Sequence, residues 1–167
     1  MKNNITLNSE VCIVDINSQA MFVRCKNFEK KYLISSGKNG TGNEEHSFKT
    51  PLGKHSICEK IGENVPIYTV FKSRKNTGIQ CEQLNIETNE DLILTRILRL
   101  KGEELGVNVG TKNGKCIDSY QRYIYIHGTN REDLIGEPAS NGCIRMNNID
   151  IIELFSKVSV GTIVDIR

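Results

Sequence analysis

The residues best suited to covalent chemistry lie late in the chain, where His127-Gly128 is followed by Ser140-Asn141-Gly142-Cys143-Ile144-Arg145. A cysteine attacks an amide or ester carbonyl when three conditions are met. It needs a base or ion-pair partner, donors for the developing oxyanion, and an accessible position. His127 ends an aromatic and β-branched run, Tyr123-Ile124-Tyr125-Ile126, and Gly128 beside it leaves room for a substrate. Sixteen residues on, a small turn presents Cys143. Gly142 lets its backbone approach a scissile carbonyl closely, and the Cys143 N–H with a neighbour's can form an oxyanion hole. A Cys–His pair alone carries little weight in a chain with six cysteines and three histidines. The plain alternatives are a packed, inert thiol and a strand-end histidine bonded to backbone.

The elements that must position these residues read mainly as strands. Val11 to Ile16, Ala20 to Arg24 and Lys31 to Ser35 are short and β-rich, with a turn at Asn17-Ser18. Glycine and asparagine then concentrate over Gly37 to Asn43 as they do in loops, and Thr50-Pro51-Leu52-Gly53 marks a second turn. Leu92 to Leu100 alternates as a strand does, although Ile93, Ile97 and Leu100 also fit a helical face. The spacing of Ile151, Leu154, Phe155 and Val158 predicts one helix, with Asn148 as its N-cap and Asp150 in its first turn. Gly161 ends that pattern and Thr162 to Ile166 closes the chain as a strand. The expected architecture is a single mainly-β domain over residues 1–167, a sandwich or closed sheet with one or two short helices.

Composition removes other functions. A net charge of +2 without a Lys/Arg block, 6% aromatics and no Trp leave nothing to track or stack on nucleic acid. No stretch approaches the roughly 18 apolar residues of a membrane span. The cysteines at 12, 25, 58, 81, 116 and 143 form no C-x-x-C pair. His46, His55 and Cys58 lack a second close ligand pair for zinc, so no metal and no cofactor is expected. His46 and His55 read as solvated or structural, and Tyr123 and Tyr125 as strand packing whose hydroxyls can face a cleft.

Taken together, Ile126-His127-Gly128-Thr129 and Ile135-Gly136-x-Pro138-x-Ser140-x-Gly142-Cys143-Ile144-Arg145-Met146 resemble the signature of the YkuD-type L,D-transpeptidase family. Ser36-Gly37-Lys38 and Thr50-Pro51-Leu52-Gly53 resemble its loop and threonine-proline turn, and Gly161-Thr162-x-Val164 its C-terminal end. The resemblance is weakest over 76–90 and 101–118. It implies a YkuD-like β-sandwich with Cys143 as nucleophile, His127 as acid/base partner and the Gly128 carbonyl orienting the imidazole. It implies that Ser140 and Gly142 shape the nucleophile turn, and that Arg145 either binds a substrate carboxylate or braces the loop. Many relatives carry a histidine where this chain has Asn141, which hydrogen-bonds but cannot titrate.

The implied substrates are peptidoglycan stem peptides or muropeptides, attacked at the diaminopimelate–D-alanine bond, with carbapenem-type inhibitors as further ligands. A native start at Met1 points to the cytoplasm and to hydrolysis of free muropeptides. A signal removed from a longer chain points to the periplasm and to transpeptidation. The reading from a different class is a non-catalytic module that binds muropeptide or a partner while Cys143 stays inert.

Overall fold

The computed structural model describes residues 10–87 and 90–167. Its strands are β1 (Val11–Asp15), β2 (Ala20–Cys25), β3 (Phe28–Leu33), β4 (Gly53–Ile61), β5 (Thr69–Lys72) and β6 (Lys75–Gln80). They continue with β7 (Ile93–Gly102), β8 (Thr111–Lys112), β9 (Lys115–Cys116), β10 (Tyr125–Thr129), β11 (Ile144–Met146) and β12 (Ile163–Ile166), with helix α1 (Asn148–Lys157) between the last two. The mainly-β expectation holds. The sheet is one hydrogen-bonded path, β11-β10-β7-β4-β12-β1-β2-β3, with the β5–β6 hairpin attached to β7.

The path curls around its main core, with a second, smaller cluster of Phe71, Ile97 and Tyr125 beside Cys143. Cys12, Val14, Met21, Leu98, Leu100, Ile126, Ile144, Met146, Val164 and Ile166 point into the main core and are buried. Helix α1 fills the concave side with Ile151, Leu154 and Phe155, the apolar stripe legible in the sequence. Its N-cap is Asn147, one residue before the expected one, because the Glu132 carboxylate accepts from the Asn148 N–H at 2.7 Å. That carboxylate supplies the negative partner the helix N-terminus favours.

Two further departures bear on function. The third strand ends at Leu33, not Ser35, because the next residues leave β2 for the turn that presents Cys143. Ser35 bridges Arg145 and Gly37 bridges Ser140. The strand expected from Tyr123 begins at Tyr125 instead. The Asp118 carboxylate accepts from the N–H groups of Tyr120 and Gln121, winding the chain into a turn that leaves Tyr123 at φ +56.

Opposite the end of β10, strand β7 bulges. His127 pairs with Ile97 but Gly128 pairs with Leu94, and Thr95 in the excess takes φ +72, an uncommon conformation for a β-branched residue. Thr95 is held there by its hydroxyl, which donates to Asn148 Oδ1 at 2.6 Å and accepts from the Tyr68 N–H at 2.9 Å. Asn148 also donates to the carbonyl of Thr129 at 2.8 Å. Asn148→Ala would strand both partners in the core, so we expect about 2–4 kcal/mol of lost stability, measured by urea denaturation. A loss below about 0.5 kcal/mol would show that the bulge does not depend on this network.

Candidate active site

The turn that presents Cys143 is tied down from three sides. The Ser140 hydroxyl accepts from the Gly142 N–H at 3.1 Å and donates to the Cys143 carbonyl at 2.5 Å. The Thr50 hydroxyl donates to the Gly142 carbonyl at 2.9 Å while accepting from the Gly37 N–H at 2.8 Å. Ser36 accepts from the Ser140 N–H at 2.8 Å, and Ser140 in turn accepts from the Lys38 N–H at 2.9 Å. The Ser-Gly-Lys and Thr-Pro-x-Gly segments thus form the floor under the turn that presents Cys143. Gly142 has φ +118, and a Cβ there would lie 3.1 Å from the Lys49 carbonyl oxygen, so the turn requires glycine.

The thiol itself is half-buried. Sγ accepts from the Tyr125 N–H at 3.4 Å and donates to the Tyr123 carbonyl at 3.5 Å, the pattern of a protonated thiol. Burial pushes its pKa up to about 11, against the lowering effect of the Tyr125 N–H.

His127 occupies the neighbouring parallel strand, paired in register with Arg145 two residues past the cysteine. Its Nδ1 lies 2.6 Å from the Gly128 carbonyl. A carbonyl only accepts, so Nδ1 carries the proton and Nε2 holds a free lone pair. Burial pushes the imidazole pKa down, while the Asp91 carboxylate and the Gly128 carbonyl favour the charged form and Arg145 opposes it. Thiol and imidazole therefore stand in the field of the same two groups, Asp91 and Arg145. Burial thus favours the uncharged form of each.

Asp91 is the residue that sequence reasoning missed. Its carboxylate accepts from Arg145 at 2.6 Å and from the Asn141 side chain at 3.4 Å. It immediately precedes Leu92, the start of the expected strand, and nothing in its own neighbourhood pointed to Cys143. Arg145 is only 5% exposed, and its guanidinium is taken up by Asp91. That geometry favours the bracing alternative for Arg145.

Two cavities flank the turn and share Asn141. One, lined by His46, Phe48, Arg122, Tyr123 and Asn141, opens on Cys143 itself. The other is lined by Lys38, Asp91, Arg131, Asn141 and Arg145. Arg122 donates to the carbonyls of Asn43 at 2.9 Å and Lys49 at 2.8 Å, and so holds the loop carrying His46 and Phe48 against the first.

His55 is structural. Its Nδ1 donates to the Gly53 carbonyl and its Nε2 accepts from the Ser119 hydroxyl, both at 2.9 Å, and burial lowers its pKa. His55 and His127 thus both fall below the ordinary 6.5 on folding. The unfolded chain then binds more protons than the fold as pH falls, so the stability they contribute is complete above pH 6.5 and lost below it. We expect the melting temperature to drop by several degrees, roughly 3–8 °C, between pH 7.5 and 5. An unchanged melting temperature across that window would refute this assignment.

The arrangement places the Cys143 thiol at the first cavity, where sulfur can attack a carbonyl, and His127 on the strand paired with the residues that follow Cys143. The chain matches the L,D-transpeptidase catalytic domain family YkuD over residues 9–166. It is 42% identical over 79 residues to the putative L,D-transpeptidase YkuD of Bacillus licheniformis, covering 44% of this chain and 47% of that one. It is 57% identical over 37 residues to the putative L,D-transpeptidase YqjB of Bacillus subtilis, covering 22% of this chain and 21% of the relative. The matched stretches thus span between a fifth and a half of those relatives' lengths. In three dimensions the fold is shared with L,D-transpeptidase 3 from Mycobacterium tuberculosis, solved in complex with a faropenem-derived adduct. That match has a TM-score of 0.58 at 14% identity, over 95% of this chain and 60% of the other. The floor of Thr50 and Ser36, the turn around Cys143 and the β10 histidine all lie within the matched residues, and the chain belongs to the YkuD family of L,D-transpeptidase catalytic domains.

Proposed function

We propose that the protein is a cysteine acyl-transfer enzyme acting on peptidoglycan stem peptides, with Cys143 as nucleophile and His127 as acid and base. The observation that carries this reading is the pinned imidazole. Gly128 fixes the Nδ1 proton, so Nε2 is the basic atom beside the turn that presents the thiol. No third side chain is needed to set the tautomer.

Because both groups rest uncharged, the Sγ proton passes to Nε2 as sulfur bonds to the carbonyl carbon of the diaminopimelate residue. The Cys143 N–H is the turn's donor for the oxyanion, since the Ser140 hydroxyl already engages that of Gly142. Collapse breaks the C–N bond, the imidazolium returns its proton to the departing D-alanine amine, and a thioester remains on Cys143. An incoming amine completes transpeptidation, and water completes L,D-carboxypeptidase hydrolysis. In either case Nε2 takes the proton of the attacking group and returns it to sulfur. Ser140 and Gly142 hold the turn in this reading, and Asn141 separates the two cavities that donor and acceptor would occupy.

The raised thiol pKa is also what a non-catalytic binding module would show. Incubation with a diaminopimelate-containing tetrapeptide, with and without excess D-amino acid, separates the two by mass spectrometry. Tripeptide and D-alanine, or exchanged product, support the enzyme. An untouched tetrapeptide, together with no carbapenem adduct on Cys143, supports the module.

A further inference from the structure

Beside the Cys143 cavity lies a third one that the reaction above does not use, lined by Ser73, Arg74, Ile93, Tyr123 and Tyr125. Arg74 reaches it from the two-residue turn closing the β5–β6 hairpin, where Lys72 pairs with Lys75. Both turn residues are left-handed, Ser73 at φ +47 and Arg74 at φ +66. Such turns favour Asn-Gly, so this hairpin holds two side-chain-bearing residues in an unfavourable conformation at its tip. Strain of this kind concentrates at functional sites.

What the tip presents is a cation without a carboxylate. Arg74 donates to the Tyr125 hydroxyl at 3.0 Å and its guanidinium lies 5.1 Å from the Tyr123 ring centre. Among the described residues it has no ion pair. Glu59, the acid whose field reaches it, is paired with Arg99 at 3.5 Å. Arg99, buried below, lies 5.4 Å from the other contact of Arg74, the Tyr123 ring, and its Nε has no hydrogen-bond partner. The cavity is therefore a positive pocket with aromatic walls, suited to an anion.

Its distance from the chemistry is set by one side chain. Tyr125 touches Sγ with its backbone N–H and Arg74 with its hydroxyl, so the thiol and the guanidinium stand at opposite ends of one tyrosine. The carboxylate of a leaving amino acid sits one bond beyond the scissile nitrogen's α-carbon, too near to span that gap. A carboxylate at the far end of the acyl donor's own side chain spans it.

We propose that Arg74 determines donor specificity, its guanidinium receiving a carboxylate at the end of the acyl donor's side chain so that the free acid is preferred to the amide. This rests on the acyl-transfer reading. Diaminopimelate carries such a carboxylate, and Tyr123 and Tyr125 would hold its methylene stem.

The test compares two tetrapeptides, one with the free side-chain carboxylate and one with the carboxamide, on wild type, Arg74→Gln and Arg74→Lys. Wild type should favour the acid by about 10- to 100-fold in kcat/KM, expressed mainly in KM. Arg74→Gln should bring that ratio close to one, and Arg74→Lys should restore part of it. A wild type indifferent to the two donors overturns the proposal, as does a ratio that survives Arg74→Gln. If neither donor is turned over, the acyl-transfer reading has failed and binding decides the carboxylate claim. Calorimetry on Cys143→Ala, with and without Arg74→Gln, should then show the acid bound more tightly and the difference lost with Arg74. Equal binding overturns it.

Discussion

Alanine at Cys143 is expected to lower tetrapeptide turnover by at least ~10⁴-fold, and His127→Asn by ~10²–10⁴-fold. The two effects should not add, because the proposed reaction joins sulfur and imidazole in one proton transfer. The pH dependence separates this mechanism from a preformed ion pair. Burial holds the thiol near 11 and the imidazole below its ordinary value, so thiolate is scarce at neutral pH. Alkylation of Cys143 by iodoacetamide should therefore accelerate steadily from pH 7 to 10. A rate that levels off below pH 7 would show a thiolate–imidazolium pair at rest. Undiminished turnover by Cys143→Ala would move the chemistry elsewhere altogether.

Gly128→Ala should be the most damaging single-methyl addition near the site. An added Cβ would lie 2.7 Å from the Leu94 carbonyl oxygen, with Asn148 Oδ1 closer still. Neither can retreat easily. The Leu94 carbonyl belongs to the bulged strand, and Asn148 is bonded to Thr95, Thr129 and Glu132. The methyl must displace the Gly128 backbone whose carbonyl fixes the imidazole, or break the buried network. We expect a loss of about 3 kcal/mol or more, with activity falling further than stability alone explains. Circular dichroism melts and tetrapeptide turnover on the same preparation measure both. A melting temperature within about 2 °C of wild type would show that the bulge yields more than its hydrogen bonds suggest.

The sequence carried the local half of this site. Turn chemistry and strand periodicity, which act over a few residues, marked Cys143 and His127 as one pair among several, and only the resemblance to a known family singled them out. The floor of the turn was visible only as the Thr50 and Ser36 segments of a resemblance, since its hydrogen bonds join residues about a hundred positions apart. Asp91 and Arg74 left no local signal. One lies two residues before β7 and the other in a hairpin whose Ser-Arg turn departs from the usual Asn-Gly. Tyr123 misled for a related reason: aromatic residues favour strands, and a turn set by the Asp118 carboxylate outweighed that preference. The helix stripe was right because burial and period coincide there, while its cap depended on Glu132, fifteen residues before Asn147.

The place of β12 has a consequence for how the chain is made. It is the last of the described strands to leave the ribosome, yet it lies between β4 and β1, joining the two halves of the sheet. Until it emerges, β1-β2-β3 and β4-β7-β10-β11 each expose an unpaired inner edge. The sheet must therefore stay open until β12 has been made, with Cys143 translated before the strands around it can close. A chain interrupted before β12 would hold two open sheets in place of the joined one.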